Sequence, residues 1–231
     1  SVNNSLVCQL FVDWGTDEQK EKYLKPLASG EKLGAYSLSE PQSGSDASNM
    51  QTYAQRQGDH YIINGTKNWV TNGINCDDVI MFCLTEKGVG YKGITAFIIE
   101  KGCEGFSVGK KENKLGIRAS DTCEHYFKNC KVPVQNRIGE DGAGFKVAMK
   151  TLNGGRIGIA TQALGIARAS LDASIKYAKE RKQFGQPIGE FGAIQNKLSN
   201  MATDVDAARF LIWRAAHLRD NGKNYTRASS M

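Results

Sequence analysis

Apolar and polar residues follow two different periods along this chain, and a helical pattern comes first. Thr16 followed by Gln19 has the spacing of a capping box, in which each side chain bonds the backbone N–H of the other residue. Apolar residues then recur at helical spacing from Glu18 to Ala28, so the pattern predicts a short amphipathic helix. We expect its helical character to stop near Gly30.

From Leu33 to about Gly139 the pattern changes to short β-rich runs separated by turns. Asn64-Gly65 lies between two runs, and this dipeptide favours a hairpin turn. No helical stretch of βαβ length separates the runs, so we expect an antiparallel β barrel or sandwich. The runs are HYIIN, NWVTN, VIMFCL, ITAFIIE and EHYFKNCKVPV.

After Gly139 apolar residues recur at helical spacing again, which predicts two long helices joined near FGQPIGEFG. The fold class is therefore α+β, with helical segments flanking a β domain. Helices of this length need partners to cover their apolar faces, and the chain supplies few. It also stops at RASSM without a helix stop signal. We expect that more helices follow in a longer protein, or that partner subunits cover these two.

Composition narrows the class of protein. No apolar run among the 231 residues approaches the ~20 needed to span a bilayer, and no signal or anchor is readable, so we expect neither secretion nor membrane insertion. The net charge of +6 comes from 30 Lys and Arg against 24 acids that are scattered along the chain. This dispersion gives nucleic-acid binding little support but is compatible with a small anionic ligand.

The cysteines and histidines lack the spacing of metal sites. Without a CxxC pair, we interpret the cysteines as reduced packing residues in a reducing compartment; a disulfide framework is the alternative, which a count of free thiols would test. We expect no metal site. The residues are Cys8, Cys76, Cys83, Cys103, Cys123, Cys130, His60, His125 and His217.

The stretch YSLSEPQSGSD, Tyr36 to Asp46, begins as a strand and ends in serines and glycine. Small residues let a ligand approach the main chain, so this strand end can donate hydrogen bonds to oxygens or ring nitrogens. An ordinary Ser/Gly/Pro turn is the alternative. By contrast, the GxGxxG match at residues 88–93 precedes a strand rather than a helix, which favours a hairpin loop over a dinucleotide site.

Two single residues are informative in different degrees. Trp69 in NWVTNG fits an ordinary strand aromatic. Arg156 lies in the otherwise apolar GGRIGIA, where a buried cation would need an anionic partner from the protein or from a ligand. A structural salt bridge and a ligand contact are both open at this point. No GxSxG elbow accompanies the serines, which argues against a hydrolase of that kind.

Five ordered segments together resemble the acyl-CoA dehydrogenase family and are most similar to its short-chain, or butyryl-CoA, branch. The resemblance covers essentially the whole chain. It implies that residues 1–32 are the end of an N-terminal helical domain, 33–139 the middle β domain, and 140–231 the first long helices of a C-terminal helical bundle. The segments are LSEPQSGSD, NGTKNWVTNG, GFSVGKKENKLGIRASDT, VPVQNRIGEDGAGFKVAMKTLNGGRIGIATQALGIA and YAKERKQFG.

The resemblance implies an FAD site in two segments, Tyr36–Ser45 and Trp69–Thr71, with Trp69 flanking the flavin ring and Thr71 near N5. It further implies that residues of a neighbouring subunit complete this site in a homo-oligomer, either a dimer or a dimer of dimers (a homotetramer). Expected cofactor residues are Tyr36, Ser37, Leu38, Ser39, Gly44, Ser45, Trp69, Val70, Thr71, Arg181, Gln183 and Phe184; expected substrate residues are Ser45, Asn153, Gly154, Gly155 and Arg156.

The family reaction is α,β-dehydrogenation of an acyl-CoA thioester, part of fatty acid β-oxidation. A carboxylate removes the α proton while the β hydrogen leaves as hydride to the flavin. The resemblance implies a short-chain acyl-CoA substrate, a trans-2-enoyl-CoA product and an electron-transferring flavoprotein as electron acceptor. It also implies a bacterial cytoplasmic or mitochondrial matrix location.

Two positions depart from the family pattern. Gly192 stands where relatives commonly carry a Gln, so one polar contact to the neighbouring FAD is missing. Gly155 stands where one branch carries its catalytic base, and the short-chain branch carries it in a C-terminal segment that we expect beyond Met231. We therefore expect an incomplete portion of an enzyme, inactive alone. A non-catalytic acyl-CoA-binding or structural relative is the alternative.

Overall fold

Helices occupy both ends of the chain and a sheet is formed by the residues between them. The computed structural model describes residues 1–231. π-Helical turns over Asn3–Cys8 and Lys20–Leu24 accompany the N-terminal helices. The α-helices are α1 (Gln9–Trp14), α2 (Asp17–Gln19), α3 (Lys25–Ser29), α4 (Gly144–Glu180), α5 (Gly192–Asp220) and α6 (Thr226–Ser230).

The capping box and the helix predicted after it are confirmed. The Thr16 hydroxyl accepts the backbone N–H of Gln19, and the Gln19 side-chain oxygen accepts that of Thr16, both at 3.2 Å. Helical conformation then continues through α3 and ends at Gly30, whose φ of 82° lies in the left-handed region that glycine tolerates. The Gln19 amide also donates to the carbonyls of Gln135 and Arg137, which attaches the helix start to the β domain.

One eight-stranded sheet forms the β domain, and most of its pairs are antiparallel as expected. Its path is β6-β7-β3-β2-β4-β5-β8, with β1 parallel beside β4 and a single parallel bridge between β2 and β4. Its strands are β1 (Gly34–Ser37), β2 (Tyr53–Gln57), β3 (His60–Thr71), β4 (Asp78–Leu84), β5 (Ile94–Glu100), β6 (Phe106–Val108), β7 (Thr122–Pro133) and β8 (Arg137–Ile138).

The sheet is open, so the barrel alternative is not confirmed. β6 and β8 stand at the two ends of the path and do not pair with each other. β8 contains only two residues, both paired with β5, and the chain then leaves the sheet for α4. A barrel requires its end strands to pair, and here they do not.

Buried side chains cover both faces of β4 and β5. Ile80 and Phe82 of β4 pack with the N-terminal helices and the start of α4, whereas Val79 and Met81 pack with residues of β2, β3 and β7. Successive side chains of a strand point to opposite faces, so burial of both faces requires the continuous apolar run VIMFCL. The β domain therefore has one core on each face of β4 and β5.

The hairpin predicted at Asn64-Gly65 is wrong. Both residues lie inside the continuous strand β3, at a register shift in its pairing with β7. A Cβ on Gly65 would meet the Thr52 hydroxyl oxygen at 2.3 Å, and the Asn64 side chain accepts the backbone N–H of Asn129 at 2.8 Å. The dipeptide therefore serves a bulge and a close approach of backbones rather than a turn.

The GxGxxG segment at residues 88–93 forms a hairpin loop, as predicted. It connects the antiparallel strands β4 and β5, and its short 3-10 turn over Gly90–Gly93 leads directly into β5. No helix follows the glycines.

Contacts divide the chain into two compact units, Ser1–Leu152 and Asn153–Met231. In the second unit α4 and α5 are the two long helices that were predicted. A two-stranded hairpin joins them, formed by β9 (Lys182–Gln183) and β10 (Gln186–Pro187). No helix is both long enough and apolar enough to cross a membrane.

All six cysteines are free thiols, and all except Cys103 are buried. No group of three or more His, Cys, Asp or Glu side chains is arranged to hold a metal ion.

Candidate functional site

The segment from Tyr36 to Ser45 leaves the sheet as an exposed turn. Glu40 and Ser43 exchange two backbone hydrogen bonds of 2.9 and 3.1 Å, which close the turn after β1. Gly44 and Ser45 are exposed, and a Cβ built on Gly44 would have no atom within 4 Å. The end of this segment is therefore open to a bound molecule.

A buried ion pair lies beneath the same segment. Lys67 Nζ is 2.7 Å from Glu40 Oε1 and donates to the Leu38 carbonyl at 2.9 Å; the two charged side chains are 0% and 2% exposed. The Glu40 carboxylate also accepts the backbone N–H groups of Gln51 at 2.6 Å and Thr52 at 3.1 Å. These bonds fix the backbone between Leu38 and Glu40.

Burial disfavours the charged forms of both Glu40 and Lys67. At Glu40 the positive charge of Lys67 and the donated hydrogen bonds outweigh burial, so the pKa of the carboxyl is held below its ordinary value. At Lys67 burial lowers the pKa of the ammonium although Glu40 opposes this shift. A buried charge is tolerated only with such partners, so each side chain depends on the other.

The second predicted segment joins the first through the backbone. The N–H of Asn68 donates to the Ser39 carbonyl at 2.8 Å. The next residue, Trp69, has a φ of 59° and lies where the register between β3 and β7 shifts. A left-handed conformation costs a bulky L-residue roughly 1–2 kcal/mol, so the surrounding bonds must hold it. The result is an indole that is 65% exposed.

Asn68 adds a polar feature beside this indole. Its side-chain oxygen Oδ1 is buried and has no hydrogen-bond partner. A buried acceptor without a partner is costly, and a donor on a bound molecule would satisfy it. The exposed indole offers a flat surface for an aromatic ligand, and the Asn68 oxygen can accept a hydrogen bond from a donor that reaches it; a flavin has both a flat ring and an N–H donor.

His125 orders the core side of the first segment. Burial lowers its pKa to about 4, so the imidazole is neutral at pH 7. Its Nε2 lies 3.0 Å from the Gly73 carbonyl, which can only accept, so Nε2 carries the proton. Nδ1 then accepts the Ser37 hydroxyl at 3.5 Å. The side chain of Ser37 is therefore engaged in the core, and the whole residue is buried.

The remaining predicted flavin residues of this unit differ in exposure. Val70 is buried in the sheet core, whereas Thr71 is half-buried and pairs with Thr122. The Tyr36 ring packs against Phe82 with ring centroids 5.0 Å apart, and burial raises the pKa of its hydroxyl. Residues with exposed surface are Tyr36, Leu38, Ser39, Ser45, Trp69 and Thr71.

In the second unit, the expected substrate residues lie on one turn of α4. Arg156 Nη1 donates to Asn153 Oδ1 at 3.0 Å and to Ser230 Oγ at 2.9 Å. Gly154 is buried, and a Cβ there would lie 3.4 Å from Nη1 of Arg219 on α5. The absence of a side chain at Gly154 thus leaves room for the Arg219 guanidinium.

Arg156 differs from the buried cation considered above. Its side chain is exposed, it forms no salt bridge, and its two partners are neutral oxygens. The neighbouring Ile157 is half-buried and Ile159 is 51% exposed, so this part of α4 is not a buried apolar segment. The structural salt bridge is therefore absent, and the guanidinium keeps its charge available for an anion.

Arg156 also lies at an apolar cavity of about 550 Å³ between α4, α5 and α6. Alkyl side chains such as Leu164, Val205 and Leu211 form most of its wall. Asp204 is the only lining residue with a side-chain carboxylate.

The hairpin between α4 and α5 carries the residues expected to reach a neighbouring subunit. Arg181, Gln183 and Phe184 are all exposed. Phe184 is 95% exposed and has a φ of 51° at the tip of the hairpin. An aromatic side chain held in this way is available to a partner.

The sequence reasoning missed Glu40, Lys67 and His125. Each lies within or beside a motif that was noted, but polar residues in strand motifs were weighed as ligands rather than as buried supports. A charged residue at an inward position of a strand, as at Lys67 in TKNWV, is the signal that could have identified the ion pair. The partner of Lys67 is Glu40, and this pairing depends on the path of the loop after β1, for which the sequence has no signature.

The sheet and its flanking helices define a mixed α+β fold in which two strand ends meet. Three family models match the chain: the N-terminal domain of acyl-CoA dehydrogenase over residues 1–31, the middle domain over 35–130 and the C-terminal domain over 142–231. The chain belongs to the acyl-CoA dehydrogenase family, flavoprotein oxidoreductases of fatty acid β-oxidation.

Individual relatives agree with this assignment. The chain is 51% identical to the short-chain specific acyl-CoA dehydrogenase of Clostridium acetobutylicum, covering 98% of this chain and 60% of that protein. It is 48% identical to subunit CarC of the caffeyl-CoA reductase–Etf complex of Acetobacterium woodii, covering 99% and 60%. The solved butyryl-CoA dehydrogenase of Megasphaera elsdenii superposes with a TM-score of 0.94 at 49% identity, covering 97% and 59%. The chain thus spans about 60% of the length of these relatives.

Proposed function

We propose that the whole protein catalyses the FAD-dependent α,β-dehydrogenation of a short-chain acyl-CoA to the trans-2-enoyl-CoA. The single observation that supports this most is the junction of two strand ends, where Ser39 bonds Asn68 and the adjacent Trp69 is held outward in a strained conformation. The names of the relatives from Clostridium acetobutylicum and Megasphaera elsdenii support the choice of substrate class. In this proposal residues 1–32 are the end of the N-terminal helical domain, 33–139 the middle β domain and 140–231 the first long helices of the C-terminal helical bundle.

The FAD-binding residues in our proposal fall into two groups. In the β domain, Leu38, Ser39 and Thr71 offer side chains near the flavin ring, Trp69 offers a stacking surface, and Gly44 and Ser45 leave the backbone accessible. Tyr36 is half-buried against Phe82, and Ser37 and Val70 are buried, so these three residues support the site from the core. When bound, FAD supplies the acceptor for the hydride, and the protein residues orient the reacting groups.

The substrate residues in our proposal serve the CoA portion. The exposed Arg156 guanidinium can pair with an anionic or polar group of CoA, and Asn153 holds it by a hydrogen bond. Gly155 leaves part of the helix backbone uncovered, Gly154 makes room for the Arg219 guanidinium, and Ser45 offers a hydroxyl on the exposed turn.

The proposed active form is a homo-oligomer, either a dimer or a dimer of dimers. Its supporting observation is the exposed hairpin, where Arg181, Gln183 and Phe184 are free to reach the FAD of a second subunit. An electron-transferring flavoprotein is the proposed electron acceptor, because CarC, at 48% identity, is named as a subunit of an Etf complex.

The α-proton base in our proposal is a carboxylate outside residues 1–231. Gly155 offers no side chain, and proton abstraction requires a base within hydrogen-bond reach of the α carbon. We therefore expect the 231-residue chain, mixed with FAD and butyryl-CoA without oxygen, to leave the visible flavin absorption unbleached. Protein-dependent bleaching with formation of crotonyl-CoA would contradict this placement. In that event Asp204→Asn tests the carboxylate at the α4–α5 cavity, with Asp172→Asn on the surface as the matched control.

Trp69 provides the test of the cofactor site. Trp69→Ala in the complete protein should weaken FAD binding roughly 2- to 10-fold, since a stacked aromatic pair contributes ~0.5–1.5 kcal/mol. Trp69→Phe should retain most of the affinity because it keeps a flat ring. Trp213→Ala removes an indole of similar exposure from α5 and is the matched control. Unchanged FAD affinity and flavin spectrum in Trp69→Ala would count against the site.

The non-catalytic alternative predicts a different result for the complete protein. A structural or acyl-CoA-binding relative would bind butyryl-CoA without reducing FAD. Observation of anaerobic flavin reduction by butyryl-CoA decides between the two, because only a dehydrogenase transfers electrons from the acyl chain.

A further inference from the structure

Two cysteines that are far apart in sequence meet at the edge of the β domain. Cys103 lies in the connection between β5 and β6, and Cys130 lies in β7 opposite Ile63. Their sulfur atoms are 3.3 Å apart, and the Cys103 thiol also lies 3.3 Å from the Lys131 carbonyl. None of these residues belongs to the proposed flavin or acyl-CoA site.

Glycine makes this meeting possible. Gly105 has a φ of 82°, and a Cβ there would lie 2.4 Å from the Lys128 carbonyl oxygen and 2.8 Å from Cys130 Cα. The Gly105 carbonyl accepts the Lys128 N–H at 2.8 Å. The loop backbone is thus pressed onto β7 directly at Cys130, which brings the Cys103 side chain over the buried thiol.

The two thiols have unequal access and unequal acidity. Cys103 is half-buried and lines a surface cavity of about 300 Å³, whereas Cys130 is fully buried. The hydrogen bond from Cys130 lowers the pKa of Cys103 although burial and the nearby Glu100 and Glu104 oppose this shift. The same contact and burial raise the pKa of Cys130. The accessible sulfur is therefore the better nucleophile of the pair.

We propose that Cys103 and Cys130 form a reversible intramolecular disulfide when the protein meets a hydroperoxide. The Cys103 thiolate attacks the terminal peroxide oxygen, so that the O–O bond breaks, an alcohol or water leaves, and Cys103 becomes a sulfenic acid. The Cys130 sulfur then attacks the Cys103 sulfur, the S–O bond breaks and water leaves. Two thiols are oxidised by two electrons and one hydroperoxide is reduced.

The geometry requires only a small movement. A disulfide has a sulfur–sulfur distance of about 2.05 Å, so the atoms must approach by roughly 1.3 Å. Cys103 lies in a turn between Gly102 and Gly105, where small backbone changes are tolerated, whereas Cys130 is held by the sheet. The bond would connect the β5–β6 loop covalently to β7 and protect the buried Cys130 from further oxidation.

Peptide mapping tests the proposal without any activity measurement. The complete protein is treated with a small excess of hydrogen peroxide, alkylated and digested with trypsin. We expect a disulfide-linked peptide pair, residues 102–110 (GCEGFSVGK) joined to residues 129–131 (NCK). Its mass should lie two hydrogen atoms below the sum of the two peptides, and dithiothreitol should separate them.

Two variants make the result specific. Cys103→Ser should abolish the linked pair and leave Cys130 alkylatable after denaturation. Cys8→Ser removes a thiol with no second sulfur beside it and should leave the linked pair unchanged. If peroxide instead converts Cys103 to sulfinic acid while Cys130 stays reduced, or links other cysteine pairs equally well, the proposal is overturned. The mapping of the unaltered protein decides the matter even if a variant fails to fold.

Discussion

Replacing Lys67 by Met probes how the flavin-facing backbone is held. Met fills a similar volume, so the change removes the charge and its hydrogen bonds without leaving a large cavity. The variant loses the 2.7 Å contact to Glu40 and the 2.9 Å bond to the Leu38 carbonyl. Glu40 then remains as a buried carboxylate without a cation.

The expected loss of stability is large. Breaking a buried ion pair by removing one partner typically costs about 3–5 kcal/mol, because the remaining charge is uncompensated. The double variant Lys67→Met/Glu40→Gln should lose less than Lys67→Met alone. A neutral Gln still offers an oxygen to the backbone N–H groups of Gln51 and Thr52 but leaves no buried charge.

Urea unfolding of the complete protein, with and without FAD, measures both effects. The lost carbonyl bond at Leu38 should also weaken FAD binding in Lys67→Met relative to the unaltered protein. The penalty of Lys67→Met should shrink as the pH falls, because protonation removes the uncompensated charge on Glu40. A loss below about 1 kcal/mol in Lys67→Met, or a double variant that is less stable than the single one, would show that the ion pair does not hold this backbone.

Two further predictions concern His125 and Arg156. The pKa of His125 is about 4 in the folded protein and 6.5 ordinarily. Between these pH values the unfolded state binds more protons than the folded state. The free energy of unfolding should therefore fall by about 3 kcal/mol as the pH drops from 6.5 to 4. His125→Gln should flatten this part of a pH series of urea midpoints; an unchanged slope would contradict the assignment. Arg156→Ala in the complete protein should raise KM for a short acyl-CoA or lower turnover. The loss of transition-state stabilisation, calculated from kcat/KM, should be about 1.5–3 kcal/mol, and Tm should change little because the side chain is exposed. Arg156→Lys is the charge-keeping control, and a variant that unfolds yet stays fully active when cold would point to a structural role instead.

Local sequence patterns predicted much of the secondary structure. The capping box at Thr16 and Gln19, the buried strand VIMFCL and the two long C-terminal helices depend on neighbours three or four residues away or on a continuous apolar run. Such signals act within one helix or strand, so they can be interpreted without knowledge of the rest of the fold. The motifs that carry the family resemblance are also local signals, because each is a short continuous stretch of sequence.

The prediction at Asn64-Gly65 failed because a distant residue decides the conformation there. Thr52 in another segment occupies the space that a Cβ would need, so glycine is required inside a strand rather than in a turn. The open edge of the sheet is a similar case, since closure depends on whether β6 and β8 meet and not on the pattern of either strand.

The order of helices and strands and the chemical character of the two strand ends thus follow from local sequence patterns. Which backbone groups those ends expose depends on contacts between residues far apart in sequence. The exposed Trp69 indole depends on a left-handed residue inside a bulge, and the path of Leu38–Glu40 depends on the buried Lys67. The reason is energetic: strain and buried charge are both unfavourable locally, and they persist only where contacts between residues far apart in sequence offset them.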